Sequence, residues 1–372
     1  MWVDQLLNFG HYAVSFIAII SVIVFIHEYG HFLVARLCGV RVEMFSIGFG
    51  PEIFGWTSRR SGTRWKVSVL PFGGYVQMFG DAGAASTPDE AAEAMAEEDK
   101  PYSFHYQPLW KKAAIVVAGP LANFLLTIGV LTGLIFNSHV SDVAPIVGSV
   151  IEGSAAEEAG LQPGDRILSI DGNEIQQFSD ITYHIDTNLG TPVTLTLKRD
   201  GKQRSLVLTP KMHEEKDALG NPVERPRIGI GSQKLQYHDV GVFGAVQEAT
   251  KRTWQICATT LRAVGQILTG ERSPKELKGP LGIAQFSGQA TQQDVLTVLW
   301  FIAILSANLG LVNLLPIPLL DGGHLMYYAV EAVRGKPMAM RYQQWGFRIG
   351  GALLLLLMGG ALFNDIRQIW WS

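Results

Sequence analysis

"VIVFIHEYGHFLVARL", Val22–Leu37, sets two properties of one segment against each other. Its apolar residues are dense enough for lipid, yet His27, Glu28 and His31 interrupt them within a single helical turn and a half. An ionisable group at membrane depth costs about 3 kcal/mol, so such groups usually persist for function. On a helix, residues i and i+4 share a face, and His27 and His31 can each turn a ring nitrogen toward one metal ion. Glu28 stands beside them, placed to touch a water rather than the metal. The bland alternative is a polar contact between spans that uses the same side chains without a metal.

Around this segment the chain is long and apolar. It has 372 residues, 48% hydrophobic and 17% charged, a balance that favours a membrane core with a modest soluble module over a set of soluble domains. The net charge of −3 gives no sign of a nucleic-acid partner. Cys38 and Cys257 are too few for a disulfide framework. Cys38 reads as a small packing residue, with metal ligation the weaker option.

Four stretches approach the roughly 20 apolar residues that a membrane-spanning helix needs: 12–36, 113–136, 295–320 and 345–363. The first is no secretory signal, because nothing basic precedes Arg36 and no small-residue cleavage site follows. Lys and Arg mark the cytoplasmic side. Arg36, Arg41, Arg59, Arg60, Arg64 and Lys66 follow the first span, and Lys111 and Lys112 precede the second. Arg334, Lys336 and Arg341 lie between the third and fourth. Both termini and the long 138–294 segment are therefore expected outside the cytoplasm, with the histidines nearer the cytoplasmic face.

Between the first two spans, "RWKVSVLPFGGYVQMF" (Arg64–Phe79) alternates residue types around a Gly-Gly pair and reads as strand, turn, strand. The acidic, alanine-rich run Asp81–Lys100 reads as a flexible loop. From 142 to 230 the texture is that of a soluble domain. "PIVGSVIEGSAAEEAGLQPGDRILSIDGNEI" (Pro145–Ile175) predicts a strand, a short helix at Ala155–Ala159, a tight turn and a further strand. "TPVTLTLKRDGKQRSLVLTP" (Thr191–Pro210) predicts a hairpin turned at Asp200-Gly201. Gly160, Leu161, Pro163, Gly164, Asp165, Ile167, Asp171 and Gly172 together resemble a circularly permuted PDZ domain, although a Gly-Leu-Gly-Phe carboxylate loop is absent. The following region, 238–290, contains a helical pattern over 242–268. Trp254, Cys257, Leu261, Val264 and Leu268 share one face against Lys251, Arg252, Gln255, Arg262 and Gln266. Such a helix either lies on a membrane surface or packs on the inserted domain.

A catalytic zinc ion takes three protein ligands and keeps a position open. The extended motif that would put a third histidine at 37 has Leu37 there. A better donor lies in "NLGLVNLLPIPLLDGGH" (Asn308–His324), where Pro316 and Pro318 break the third apolar run just ahead of Asp321. Freed backbone at membrane depth is tolerated only where protein or water satisfies it, which marks a site. His324 competes with Asp321 for the third ligand position.

His27-Glu28-Tyr29-Gly30-His31, "GPLANF" (Gly119–Phe124) and "NLLPIPLLDGG" (Asn313–Gly323) together resemble the site-2 proteases, peptidase family M50, in their bacterial RseP-like branch with a single PDZ unit. "GPLGI" (Gly279–Ile283) matches a further segment of that family. The resemblance implies one Zn2+ per chain held by His27, His31 and Asp321, with Glu28 as general base. It implies substrate-binding roles for Asn313 and for Gly73, Gly74 and Tyr75. The fold it implies is a mainly α-helical polytopic membrane protein of about four transmembrane helices, with a membrane-associated β element over 65–80 and an inserted PDZ-like α+β domain. Membrane core one spans 1–138 and core two 291–372. The implied partners are the lipid bilayer of a bacterial inner membrane and transmembrane substrates such as anti-sigma factors or signal-peptide remnants. The rival classes are a membrane zinc transporter or sensor, and a membrane-anchored PDZ scaffold with a non-catalytic metal site.

Overall fold

The computed structural model describes residues 2–81, 95–138, 143–216, 222–232, 241–336 and 338–371. Most of the expected acidic loop (82–94) lies outside the described residues, as do residues 142 and 217–221 of the expected insert and the first part of the linker, 238–240. The chain divides into two compact units: 1–130 with 278–369, and one built on Leu131–Leu277.

The first unit opens with α1 (Trp2–Leu37). The apolar window beginning at 12 understates it, because the helix runs on through polar Asn8, Gln5 and Asp4 toward the N-terminus. Ile19, Ile23, His27, His31 and Ala35 recur every four residues and are all buried, so the histidines occupy the packed stripe of the helix. Val14, Val22, Leu33 and Leu37 on other faces are exposed, as suits a helix surrounded by lipid.

Two strands follow, β1 (Val42–Thr57) and β2 (Arg64–Met78). The Gly-Gly pair lies within β2, and the two halves of β2 do not pair with each other as the alternation suggests. Residues 74–78 run antiparallel to 42–47, while 64–67 flank the same 44–47 segment from its other side and pair outward with 54–57. One residue span of β1 is thus sandwiched between both halves of β2. Phe45 is buried at the centre, its ring 4.4 Å from Trp65 and within 6 Å of Phe25 and Phe32 of α1. Those aromatic contacts seat the sheet on the helix that carries the histidines.

After the sheet, α2 (Leu109–Ser138) contains Pro120. Three helices of the insert, α3 (Ala155–Glu158), α4 (Phe178–Asp186) and α5 (Val242–Thr269), precede α6 (Pro280–Gln293), α7 (Val295–Asn313), α8 (Asp321–Arg334) and α9 (Met340–Trp371). α1, α2, α7 and α9 each hold a window long and apolar enough to cross a membrane. The third span ends at Asn313 rather than near 320. Pro316 and Pro318 supply no amide hydrogen, and the chain turns through 314–320 before α8 begins at Asp321. That turn closes tightly: a Cβ on Gly322 would lie 2.2 Å from the Leu315 carbonyl, and one on Gly323 2.5 Å from that of Ile317. Only glycine fits either place.

Polar groups join the spans where hydrocarbon offers no drive. Ser306 Oγ of α7 donates to the Asn123 carbonyl of α2 at 3.0 Å, and Thr127 Oγ1 donates to the Ala303 carbonyl at 3.1 Å. The carboxylate of Asp365 in α9 accepts from the Gly279, Leu281 and Gly282 amides at 2.8–3.0 Å. The "GPLGI" segment is therefore a helix start capped by a buried side chain from another helix.

The inserted unit is α+β. Strands β3 (Val147–Val150), β4 (Arg166–Ile170), β5 (Asn173–Glu174), β6 (Val193–Arg199), β7 (Lys202–Leu208), β8 (Lys211–Lys216), β9 (Pro222–Arg227) and β10 (Ile230–Ser232) alternate with α3 (Ala155–Glu158) and α4 (Phe178–Asp186). The main sheet has the order β5-β4-β6-β7, and β3 pairs with β10. Val193, Leu195 and Leu197 of β6 point inward with Ile167, Ile170, Ile181 and Ile185, while Thr194 and Lys198 point out. The β6–β7 turn falls at Asp200-Gly201, both with positive φ (50° and 77°), as a two-residue hairpin requires. α5 (Val242–Thr269) packs by its polar face: Lys251 and Gln255 reach Asp180, and Arg262 and Gln266 reach Thr187. Of its expected apolar face, Trp254, Leu261, Val264 and Leu268 are exposed, while Cys257 is buried in line with Ala245, Ala249 and Thr253.

Candidate metal centre

The buried stripe of α1 delivers His27 and His31, and the turn after α7 delivers Asp321 as the first residue of α8. A carboxylate at a helix start is favoured by the amide dipoles behind it. The Nε2 atoms of His27 and His31 lie 3.2 Å apart. One Asp321 carboxylate oxygen lies 3.2 Å from the first and 3.5 Å from the second. Ligand bonds of about 2.0–2.1 Å in a tetrahedron leave its corners roughly 3.3 Å apart, so these three atoms have the spacing of a zinc ligand face. The same Asp321 oxygen is buried against the two imidazoles, and a bound cation would satisfy its charge there. Among the described residues, this is the one grouping of three such donors within 4.8 Å of one another. His324, the competing candidate, is not in it; its ring lies 5.6 Å from Phe347.

Both histidines are held from behind. His31 Nδ1 faces the Ile115 carbonyl of α2 at 2.8 Å, which fixes the proton there and leaves Nε2 bare for a metal. Asn123 of α2 places its carboxamide 3.1 Å from His27 Nδ1. α2 comes this close because residue 119 is glycine: a Cβ there would lie 2.2 Å from His31 Nε2 and 2.9 Å from the His27 ring. Gly119 and Asn123 were visible in the sequence as parts of "GPLANF" without an assigned task. The available signal was a glycine and an amide one turn apart inside an otherwise apolar span.

The three donors open on a cleft of about 580 Å³ that Glu28, Gly73, Gly74, Tyr75 and Asn313 also line. Glu28 is within electrostatic range of both histidines and Asp321. Gly74 brings the strand against it, since a Cβ there would lie 3.0 Å from Glu28 Cγ and 2.7 Å from the Ser46 carbonyl. Gly73 has φ +129° and packs beneath the Phe49 ring, which stacks on Tyr75. The Asn313 carboxamide, at the end of α7, lies 3.5 Å from His27 Nε2. All eight sequence-derived site residues thus fall around one cavity of the first unit.

Compared with known proteins, the chain matches the family described as "Peptidase family M50" over residues 15–357. A Rhizobium meliloti protein named "Putative zinc metalloprotease" is 44% identical over 362 residues, covering 95% of this chain and 96% of its own. "Metalloprotease MmpA" of Caulobacter vibrioides is 36% identical, covering 95% of each chain. "Regulator of sigma E protease" of Salmonella typhi is 31% identical, covering 95% of this chain and 98% of its own. Among solved structures, the PDZ domain of an SdrC-like protein from Listeria monocytogenes is 26% identical, covering 25% of this chain and 90% of its own with a TM-score of 0.20.

Proposed function

The chain is a member of peptidase family M50, and on that premise we propose that it is an intramembrane zinc metalloprotease of the site-2 type, cutting peptide bonds within or near transmembrane segments of other membrane proteins. The observation that supports this reading best is the convergence of His27 Nε2, His31 Nε2 and one Asp321 oxygen at the mutual spacing of three corners of a tetrahedron. Zinc held there would supply Lewis acidity, making water acidic enough to react at neutral pH and polarising a carbonyl.

The protein's own groups divide the remaining work. Glu28 takes the proton of the attacking water and later hands it to the departing amine, as a general base that becomes a general acid. Asn313 offers an amide donor to the substrate carbonyl at the cleft wall. The substrate brings its own obstacle, because a helix hides its carbonyls and exposing one unpaired in lipid costs several kcal/mol. Residues 74–78 pair on one side with 42–47, and among the described residues no strand pairs with their other edge, although Met78 has its amide and carbonyl bonded to Asp81. A peptide added along that edge would be held extended, with its backbone groups satisfied, beside Glu28.

On the count of basic residues, this reading puts the metal cluster toward the cytoplasmic side of a bacterial inner membrane, with the termini outside. Anti-sigma regulators and signal-peptide remnants are the substrate classes this reading favours, in regulated intramembrane proteolysis.

The deciding experiment is zinc analysis of the purified full chain together with a cleavage assay on a panel of transmembrane reporters. The wild type is expected to carry one zinc and cleave. Glu28→Gln should keep the zinc and lose cleavage by several orders of magnitude, whereas Asp321→Asn should lose both. Undiminished cleavage by Glu28→Gln, or a wild type that binds no zinc, would reject the assignment.

A further inference from the structure

Asn123 is fully buried in α2, and the proposed reaction gives it no part. Its carboxamide lies with the amide nitrogen 3.1 Å from His27 Nδ1, while its own oxygen, Oδ1, is buried without a hydrogen-bond partner. The two ends of a carboxamide are nearly equal in size, and a half-turn about the Cβ–Cγ bond exchanges them within the same space.

The exchange decides which nitrogen of His27 is available. With the amide nitrogen donating to Nδ1, the ring proton must sit on Nε2, the atom that faces His31 and Asp321, and His27 cannot ligate a cation. With Oδ1 turned to Nδ1, the ring proton sits on Nδ1 and donates to Asn123, leaving Nε2 bare. His31 obtains the same arrangement from the Ile115 carbonyl. Among the hydrogen bonds of the described residues, His27 Nδ1 has Asn123 alone.

We infer that Asn123 is the positioning residue of His27, its Oδ1 accepting the Nδ1 proton so that Nε2 is presented to the metal. The inference rests on the zinc reading of the cluster. The scaffold suits the task. The Asn123 main-chain carbonyl accepts from Ser306 Oγ at 3.0 Å and shares the single Thr127 hydroxyl proton with the Ala303 carbonyl, so the residue is pinned between α2 and α7 independently of its side chain. Gly119, one turn earlier, sets the approach to the imidazoles. An uncharged amide also serves either ring tautomer, donating to one and accepting from the other, which a fixed carbonyl such as that of Ile115 cannot do.

The test measures zinc affinity of the detergent-solubilised full chain by chelator competition, together with the visible spectrum of the cobalt-loaded protein. Asn123→Leu keeps the branched outline and the number of heavy atoms and removes the acceptor. It is expected to weaken zinc binding about 10–100-fold, the usual effect of losing the partner of a ligating histidine, and to alter the cobalt bands. Asn123→Asp, which keeps an acceptor at that place, should bind within about threefold of the wild type or more tightly. Thr127→Val removes the hydroxyl bonds of the same turn and should lower the melting temperature with affinity unchanged. If Asn123→Leu does not fold, Asn123→Ala replaces it with the same expectation. Wild-type affinity in the Leu or Ala variant, equal weakening in Asn123→Asp, or equal weakening in Thr127→Val each overturns the inference while leaving the zinc reading intact. A wild type that binds no zinc overturns both.

Discussion

A methyl group on Gly119 would lie 2.2 Å from the Nε2 of His31. No carbon can approach a ring nitrogen so closely, so Gly119→Ala must push α2 away from α1 or rotate the imidazole out of its place. Either movement spoils a ligand face defined to a few tenths of an ångström. Zinc affinity should fall by at least about tenfold, read by competition with a chelator. A Cβ on Gly129 of the same helix would meet no atom within 4 Å, and Gly129→Ala should leave affinity unchanged. Equal behaviour of the two variants would refute the packing argument.

This contact also marks where the sequence stops speaking. His27 and His31 were readable because a helix repeats every 3.6 residues and four-residue spacing fixes a shared face. Asp321 was readable because two prolines announced a break in an apolar run. Gly119 and Asn123 act through space, on residues far away in the chain, and nothing local distinguishes a close approach from an ordinary small residue. The β element failed differently. Alternation in Arg64–Met78 correctly signals strand, but it carries no register, and the pairing of both halves of β2 to the same stretch of β1 is set by Phe45, Trp65 and the aromatic residues of α1. The polar face of α5 was equally open to misreading, since a charged face suggests solvent whereas here it meets Asp180 and Thr187.

Gly74 tests the strand edge apart from the metal. The three atoms nearest its missing Cβ belong to Ser46, Val24 and Glu28, none of them a ligand. Gly74→Ala should therefore keep a full complement of zinc while lowering kcat/KM on a transmembrane reporter. A displacement near 1 Å at a reacting group costs about 100-fold. Loss of zinc with the activity would show that the strand supports the metal site rather than the substrate.

Leu319 has φ +88° two residues ahead of Asp321. A non-glycine residue in that region stores about 1–3 kcal/mol, sustained here by the glycine-lined turn around it. Leu319→Gly adopts the same angle without that cost and should retain zinc. Leu319→Val adds branching at Cβ, which the left-handed region disfavours most, and should loosen zinc binding by shifting Asp321. The reverse order of affinities would mean that the Leu319 side chain, not its backbone angle, positions the aspartate.

Asp165 gives the inserted domain a pH dependence of defined sign. Its carboxylate is 1% exposed and takes two bonds of 2.6 Å from Arg199 and one of 2.9 Å from the Gln162 amide. Burial pushes the carboxyl up, but the Arg199 hydrogen bonds, the Gln162 amide and the guanidinium charge outweigh it and hold the group below the usual carboxylate value. A carboxyl depressed on folding stabilises fully above its unfolded value of about 3.9, and that contribution disappears as pH falls through the lower folded value. Asp165→Asn leaves Arg199 without its partner and should destabilise the domain at neutral pH by an amount on the order of 3 kcal/mol. Thermal unfolding of the full chain followed from pH 7 downward should show the gap between wild type and variant holding to about pH 4, then narrowing as the wild-type carboxylate takes its proton. A gap that stays constant through that acid range would mean that the shape of the Gly160–Asp165 turn, and not the charge of Asp165, holds the domain together.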